Sequence, residues 1–435
     1  MLHQSIQLTL FFLCIPILYL AFKSTGYSIR KISIPTIFFL FFILQVYLAF
    51  PFFFTGLHLY SALNEQSILY QMFLSSVLGF SCIFIGIAIA NFKKKHREII
   101  VENSFHGLQY CTAVILFLIC IVVLILYFKT LAEVPFFALL RGARGIELNS
   151  LRSDSASSYK GKVYYYTMFI HGLLPFLSYY FFATHLFTKK KFTKIIFTIS
   201  FFASVIALIS TLHKAPIVYY FLFLIMLWAL VRQKKINWKI AFMTLGSGFG
   251  FILLLYAVIR SVTINVTEVF YVILNRAFLG QIRDSYYYIK MFPEKVDFLL
   301  GQSMGIPSII SPFDSHYPLS VNVMNFIYPG VYGEIVGRAN TVYWGEIYAN
   351  FGFIAIPIIS LFVGIYIGII QRILEKKITA LNVAVLVFFI DFFLVLVCAG
   401  ISRISPLNSQ FMLVVLAAAL LYLLRNINPL RYLRS

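Results

Sequence analysis

Apolar runs of about 20 residues recur along the whole of this chain, and a helix needs about that length to cross ~30 Å of hydrocarbon. Inside a bilayer every backbone N–H and C=O must be satisfied by the protein itself, which leaves few folds open. Of the 435 residues, 61% are apolar and only 11% are charged, whereas soluble domains carry about 25% charged residues. The sequence thus predicts an all-α polytopic membrane protein, one integral domain over residues 1–435. About eleven spans are expected, near 4–22, 34–54, 68–91, 110–128, 164–187, 194–212, 215–231, 239–259, 346–370, 380–402 and 407–424.

The net charge of +20 has a topological explanation and calls for no nucleic-acid partner. Counting connections alternately, one side collects Lys23, Arg30 and Lys31, then Lys93 to Lys95 with Arg97, then Lys189 to Lys191 with Lys194. The same side holds Arg232, Lys234, Lys235, Lys239, Arg372, Lys376, Lys377, Arg425, Arg431 and Arg434, against the acids Glu98, Glu102 and Glu375. Short basic loops stay cytoplasmic, which predicts an outward N-terminus and an inward C-terminus. The first run follows MLHQSIQ, which has no Lys or Arg, and no small-residue cleavage site comes after it, so it reads as a retained helix. Cys14, Cys82, Cys111, Cys120 and Cys398 all lie inside expected spans, supporting neither a disulfide framework nor a zinc site.

Two connections break the short-loop pattern, and both are expected on the outer face: residues 129–163, and residues 260–345 between spans eight and nine. The longer one stays rich in apolar and aromatic residues, in which a disordered linker would be depleted, so it is expected to fold. Within it, 267–292 has helical character, and spacings of seven, four and three would put Arg276, Arg283, Tyr287 and Lys290 on one face. That stripe either lies in the membrane interface or lines a cavity for a phosphorylated ligand. The shorter loop contains RGARG, with Arg141 and Arg144 three residues apart and Arg152 beyond. Guanidinium forks suit phosphate, although Glu147 and Asp154 are also there to pair with them. No internal repeat is visible, which weighs against inverted-repeat transporters.

Further polar groups sit at span ends or within spans. Lys214, in the turn HKAP (213–216), either snorkels to the interface or serves a site, and for Arg403, between the last two spans, snorkelling is the expectation. Asp391 lies in the middle of NVAVLVFFIDFFLVLVCAG, a depth at which an ionisable group costs a few kcal/mol and marks either function or a buried partner. The stretch GRANTVYWGEIYANFGFIAIP (337–357) sets Arg338 and Glu346 eight residues apart at the mouth of the ninth span. No GxGxxG, P-loop, HExxH, CxxC or nucleophile elbow occurs, so neither a metal nor any cofactor is expected.

The segment FLLGQSMGIPSIISPFDSHYPLSVN (298–322), followed by NTVYWGEIYANFGFIAIPIISLFVGIYIGIIQRILEKK (340–377), resembles the C-terminal half of Wzy-type polymerases. These are bacterial polymerases of O-antigen and oligosaccharide repeat units. The likeness is carried by Gly301 and Gly305, the stretch around Pro312 and Pro318, and the pattern N-T…G-E-x-Y-x-N-F-G leading into a span. Elsewhere it rests on topology. His213-Lys214-Ala215-Pro216 stands where many relatives carry G-S-R-G, which puts a point charge in place of an arginine fork.

The resemblance implies a helical fold similar to the C-type glycosyltransferases and O-antigen ligases. It implies a metal-independent glycosyltransferase, multi-pass in the bacterial inner (cytoplasmic) membrane and surrounded by its lipids. Donor and acceptor would be undecaprenyl-diphosphate-linked oligosaccharides, with a chain-length regulator and a flippase of the same pathway as partners. An acceptor hydroxyl would attack the anomeric carbon and release undecaprenyl diphosphate, which needs cations at the departing diphosphate and a base at the hydroxyl. Arg141, Arg144, Lys214, Arg276, Arg283 and Arg338 are the expected diphosphate ligands, and Glu346, then Glu334 and His316, the expected bases. Tyr287, Tyr343 and Trp344 either stack on sugar rings or anchor at the interface. Two rivals stay open. One is an O-antigen ligase, with similar arginines. The other is a flippase, which should spread charge along its spans, where this chain keeps nearly all its charge outside them, Asp391 excepted.

Overall fold

The computed structural model describes residues 2–56, 63, 65–92, 100–101, 105–131, 133–143, 147–148, 150–151, 155, 162–212, 214–233, 243, 246, 250, 275, 279–304, 317–329, 338–405 and 408–425. In chain order its helices are α1 (Leu2–Ser24), α2 (Ile34–Gln45), α3 (Phe50–Thr55), α4 (Gln66–Asn91), α5 (Gly107–Thr130), α6 (Pro135–Arg141), α7 (Lys162–Thr167), α8 (Leu174–Thr188) and α9 (Lys191–Ser210). There follow α10 (Lys214–Val231), α11 (Gly280–Arg283), α12 (Ser285–Met291), α13 (Leu319–Ile327), α14 (Tyr343–Phe351), α15 (Ala355–Leu374), α16 (Ala380–Leu394) and α17 (Ser409–Arg425).

Among the described residues, eight stretches are long and apolar enough to cross a membrane. They are Ser5–Ser24, Ile34–Thr55, Gln66–Asn91, Gly107–Thr130, Lys191–Ser210, Ala355–Leu374, Ala380–Val397 and one ending at Arg425. Ala215–Val231 is a shorter apolar helix. An all-α, multi-pass membrane protein is what these lengths describe. Of the expected spans, 239–259 lies outside the described residues save for 243, 246 and 250. Among the described residues, the expected loop 260–345 contains the helices α11 to α13 and the start of α14.

The chain divides into two compact units, each assembled from discontinuous segments. Met1–His96, Asn265–Ile373 and Phe392–Asn408 make the first; Arg97–Ile264, Leu374–Asp391 and Ser409–Ser435 make the second.

The first unit has an aromatic core. Phe22, Phe38, Phe39, Phe42, Tyr47, Phe73, Phe80 and Phe84 are buried, with Phe42 stacked on Phe80 at 3.6 Å and Phe22 on Phe39 at 4.5 Å. Lipid tails are as apolar as these rings, so fit between surfaces contributes more to association than transfer from water does. Local chemistry sets where α2 begins: Ser33 Oγ accepts the Thr36 N–H at 3.2 Å, and Pro35 occupies the first turn, where its missing N–H costs nothing. α4 and α15 cross backbone to backbone. A β-carbon at Gly364 would lie 2.8 Å from the Ile83 carbonyl carbon and 2.9 Å from its Cα, and one at Gly86 would lie 3.0 Å from the Gly364 Cα. Only small residues allow so close an approach.

In the second unit α7 and α8 form one continuous helix interrupted by a π-helical turn, Met168–Leu173. Pro175, in the first turn of α8, accounts for it. Proline lacks an N–H and its ring clashes with the carbonyl four residues earlier, and a widened turn relieves that clash. α6 starts at Pro135 and stops at Gly142, which has φ +105°. With Ala143, Leu148 and Leu212, its Ala138 and Leu139 form a small cluster, so part of segment 129–163 packs against Leu212, just beyond the end of α9. Ile100–Val101 pairs in parallel with Lys377–Ile378, the one β pairing among the described residues.

Candidate functional site around Glu346

The expected ninth span, 346–370, is two helices. α14 stops at Phe351 because Gly352 takes φ +76°, and the membrane-length helix α15 starts only at Ala355. Glu346 therefore belongs to a separate nine-residue helix, near its start, and does not begin the span. Arg338 precedes α14 in the non-helical segment 338–342 and is exposed, so Arg338 and Glu346 share no helical face.

Both ends of α14 are tied down within the first unit. Ahead of it, the Asn340 N–H donates to Asp284 Oδ2 at 3.0 Å and the Val342 N–H to Ser285 Oγ at 3.2 Å. The Tyr288 hydroxyl donates to the Ala339 carbonyl at 3.2 Å. Together these strap the segment to α12. Burial pushes the Asp284 carboxyl above its ordinary value, opposed by its pairing with Arg283 and by the Asn340 N–H. Behind α14, the N–H groups of Leu299 and Leu300 donate to the carbonyls of Ala349 and Asn350 at 3.0 Å each. Segment 298–304 thus closes acceptors that a helix end leaves open. Its turn puts Leu300 at φ +50° and Gly301 at +104°, and Asn350 Oδ1 accepts the Gly301 N–H at 2.9 Å.

That clamp places three segments around one carboxylate. Glu346, 4% exposed, accepts the Ser402 N–H on Oε2 at 2.9 Å and the Ser303 hydroxyl on Oε1 at 3.4 Å. Asn350 Nδ2 donates to Ser303 Oγ and to the Glu346 carbonyl, at 2.7 Å each. Gly400 makes the space: a β-carbon there would lie 2.9 Å from the Glu346 Cδ and closer still to Oε2. Burial pushes the carboxyl above its ordinary value, while hydrogen bonds from Ser402 and Ser303 and the charge of Arg403 oppose the rise. Arg403 itself is exposed. Oε2 is fixed at a normal hydrogen-bond length. Oε1, at 3.4 Å from the Ser303 hydroxyl, is the more loosely held of the two.

The other expected site residues fall into different surroundings. Arg283 is partly buried and engaged by Asp284, with the Tyr328 hydroxyl accepting at 3.4 Å. Tyr287 is half-buried, its ring edge-on to Phe326. Lys290 pairs with Glu65. Tyr343 and Trp344 are 0% exposed. The Tyr343 hydroxyl bonds Ser360 Oγ at 2.7 Å, and Trp344 Nε1 donates to Ser76 Oγ at 3.1 Å. Neither ring has a face open to a sugar or to the interface, so both are corrected to core residues. In the second unit, exposed Arg141 pairs with Glu133 at 2.8 Å and Glu147 at 3.3 Å, and two carboxylates thus exceed its single charge. Lys214 opens α10. Asp391 lies within α16, half-buried and within electrostatic reach of Tyr179, whose ring stacks on Tyr220 at 5.4 Å. Arg144, Arg276, His316 and Glu334 lie outside the described residues.

Ser303, Asn350, Gly400 and Ser402 escape a sequence reading. Asn350 stands in the N-F-G motif quoted above, but one sequence does not say that it bonds the Gly301 turn. Ser402 follows Glu346 by 56 residues, a separation no spacing rule covers. Among the described residues, no group of three or more His, Cys, Asp or Glu is arranged to hold a metal ion. No protein-family model matches the sequence, and no curated protein or solved structure is significantly similar to it.

Proposed function

We propose that the protein is a membrane glycosyltransferase that joins oligosaccharides carried on a lipid diphosphate, and more narrowly a repeat-unit polymerase of the Wzy type. The observation that carries the reading is the Glu346 carboxylate, nearly enclosed, held firmly on one oxygen and electrostatically coupled to exposed Arg403. A carboxyl that burial raises above its ordinary value is the stronger base for it. In the proposed step the acceptor hydroxyl passes its proton to Glu346 Oε1 while its oxygen bonds to the anomeric carbon of the donor. The bond from that carbon to the diphosphate oxygen breaks, and its electron pair leaves with undecaprenyl diphosphate. Arg403 and Arg338, both exposed in the first unit, are the cations for the charge that develops there. Ser303 and Asn350 position Oε1. On this reading the enzyme works at the outer face of the bacterial inner membrane, supplied by a flippase and paired with a chain-length regulator.

Deleting the gene in its native host and displaying lipopolysaccharide on a gel tests the reading. Loss of a polymerase leaves core carrying a single repeat unit. Core without any repeat instead indicates a ligase or a flippase, and an unchanged ladder refutes all three. In a reconstituted assay with lipid-diphosphate-linked repeat units, Glu346→Gln lowers the rate of chain growth by roughly 10²–10⁴-fold. Arg403→Gln weakens use of the donor, and Arg403→Lys restores part of it. Wild-type growth by Glu346→Gln would remove Glu346 as the base.

A further inference from the structure

In the second unit α8 and α10 pack side by side and run in the same direction. The hydroxyls of Ser178 and Tyr220 bond at 2.6 Å, and the Tyr179 and Tyr220 rings stack at 5.4 Å. One turn further along α8, Phe182 shares an apolar groove with Phe221, Leu224, Ile225 and Trp228 of α10. These four stand at i, i+3, i+4 and i+7, hence on one face of the helix. Leu224 is the buried floor, and exposed Phe221 and Ile225 are walls. Phe182 stacks on Phe197 at 4.6 Å, and Phe221 meets Phe201 edge-on at 5.9 Å, so α9 braces the groove from both helices. Its volume is about 240 Å³. An apolar cavity of about 150 Å³ holds benzene, so this one takes on the order of ten carbons of a hydrocarbon chain.

The end of this groove sets it apart from an ordinary lipid-facing surface. Arg232 follows Trp228 at i+4, and its N–H donates to the Trp228 carbonyl at 3.1 Å, which puts it one helical turn beyond the groove. On α8, Lys189 follows Phe182 at i+7, on the same face, and its N–H donates to the His185 carbonyl at 2.8 Å. Both residues are exposed. Because the helices run in the same direction, both cations stand at the same end of the groove. The neighbouring Lys190 is turned to other use, its ammonium 4.5 Å from the centre of the Phe105 ring.

We propose that this groove binds one anionic phospholipid, with an acyl chain along Phe182, Phe221 and Trp228 and the phosphate at the end marked by Lys189 and Arg232. Basic residues beside membrane helices recognise anionic headgroups, and a guanidinium fork suits phosphate oxygens. The groove alone would accept the chain of any lipid. The two cations select the headgroup, because a zwitterionic lipid brings a positive charge of its own against them. The site belongs to the second unit and does not depend on any role for Glu346.

The test uses the full chain, purified in neutral detergent, stripped of lipid and returned to phosphatidylglycerol and phosphatidylcholine with the same acyl chains. Native mass spectrometry reads which lipid is retained. The wild type retains phosphatidylglycerol over phosphatidylcholine, and short-chain phosphatidylglycerol displaces it poorly because it leaves the groove unfilled. Lys189→Gln and Arg232→Gln each lower the preference about fivefold, the worth of one basic residue at an anionic headgroup. Ile225→Trp, which fills the groove and keeps every charge, lowers retention of phosphatidylglycerol by a similar factor. If a variant fails to fold, the wild type alone decides the matter, since displacement as effective by short chains as by long ones overturns the groove. The proposal is also overturned if the wild type shows no preference or if Ile225→Trp retains lipid as the wild type does. It is equally overturned if Lys376→Gln, which removes an exposed cation on neither helix, lowers the preference as much as Arg232→Gln does.

Discussion

Adding one methyl group where α4 crosses α15 should loosen the first unit by a calculable amount. Carbon atoms in contact sit about 3.5–4.0 Å apart, whereas the methyl of Gly364→Ala would lie 2.8 and 2.9 Å from two backbone atoms of Ile83. Backbone atoms have no rotamers to move aside, so the helices must part locally by most of an ångström. Overpacking of this kind costs ~1–3 kcal/mol. Gly107→Ala is the control, because a β-carbon there meets nothing within 4 Å, and its effect should stay within about 0.5 kcal/mol. Gly86→Ala acts at the same crossing, since its β-carbon would lie 3.0 Å from the Gly364 Cα and 2.8 Å from the Ile365 nitrogen. Once the helices have parted for one methyl, the second finds room. The double variant should therefore cost less than the sum of the singles, by about 0.5–3 kcal/mol. Thermal unfolding in detergent, followed by tryptophan fluorescence, reads this directly, because Trp344 is hydrogen-bonded to Ser76 on α4. A Gly364→Ala protein as stable as Gly107→Ala, or a double variant whose cost is the full sum, would refute the close crossing.

Two further outcomes follow from the clamp on α14. The folded state holds the Glu346 proton more tightly than the unfolded chain does, because burial raises that carboxyl above its ordinary 4.5. Its contribution therefore favours folding in acid, declines as pH rises above that value, and is fully unfavourable once the folded group has ionised. Glu346→Gln removes the ionisation, so its stability relative to wild type should rise with pH from acid to neutral; parallel pH profiles for the two proteins would sink the reasoning. Ser285→Ala leaves the Val342 N–H without its acceptor, at a cost of ~1–3 kcal/mol. A change in unfolding free energy below about 0.5 kcal/mol would place that N–H in contact with water instead.

The helical membrane class is legible in the sequence because span length is a local property: apolar length alone specifies a crossing. The break inside the expected ninth span is not. Residues on both sides of Gly352 are mostly apolar, and the Phe298 ring, which a β-carbon at Gly352 would meet at 3.3 Å, comes from a distant segment. The aromatic pair fails for a related reason. Trp344 at an expected water boundary reads as an anchor, but its partner Ser76 lies 268 residues away in sequence. Glu346 itself is visible through the G-E-x-Y-x-N-F-G pattern, while the groups that hold it are contributed by distant segments. Arg141 shows the opposite case, since Glu133 and Glu147 stand close in the sequence and local pairing proves to be its setting.

The separation between Glu346 and Ser402 also has a consequence during biosynthesis. Ser402 follows the carboxylate by 56 residues, and at ~5–20 residues per second the ribosome takes roughly 3–11 s to supply it. Through that interval α14 carries an acid whose principal donor has not yet been made, so the helix cannot settle into its final seat as it emerges. Assembly of this region is therefore a late event, and any chain that stops before Gly400 presents the cell with an unfinished polar cage.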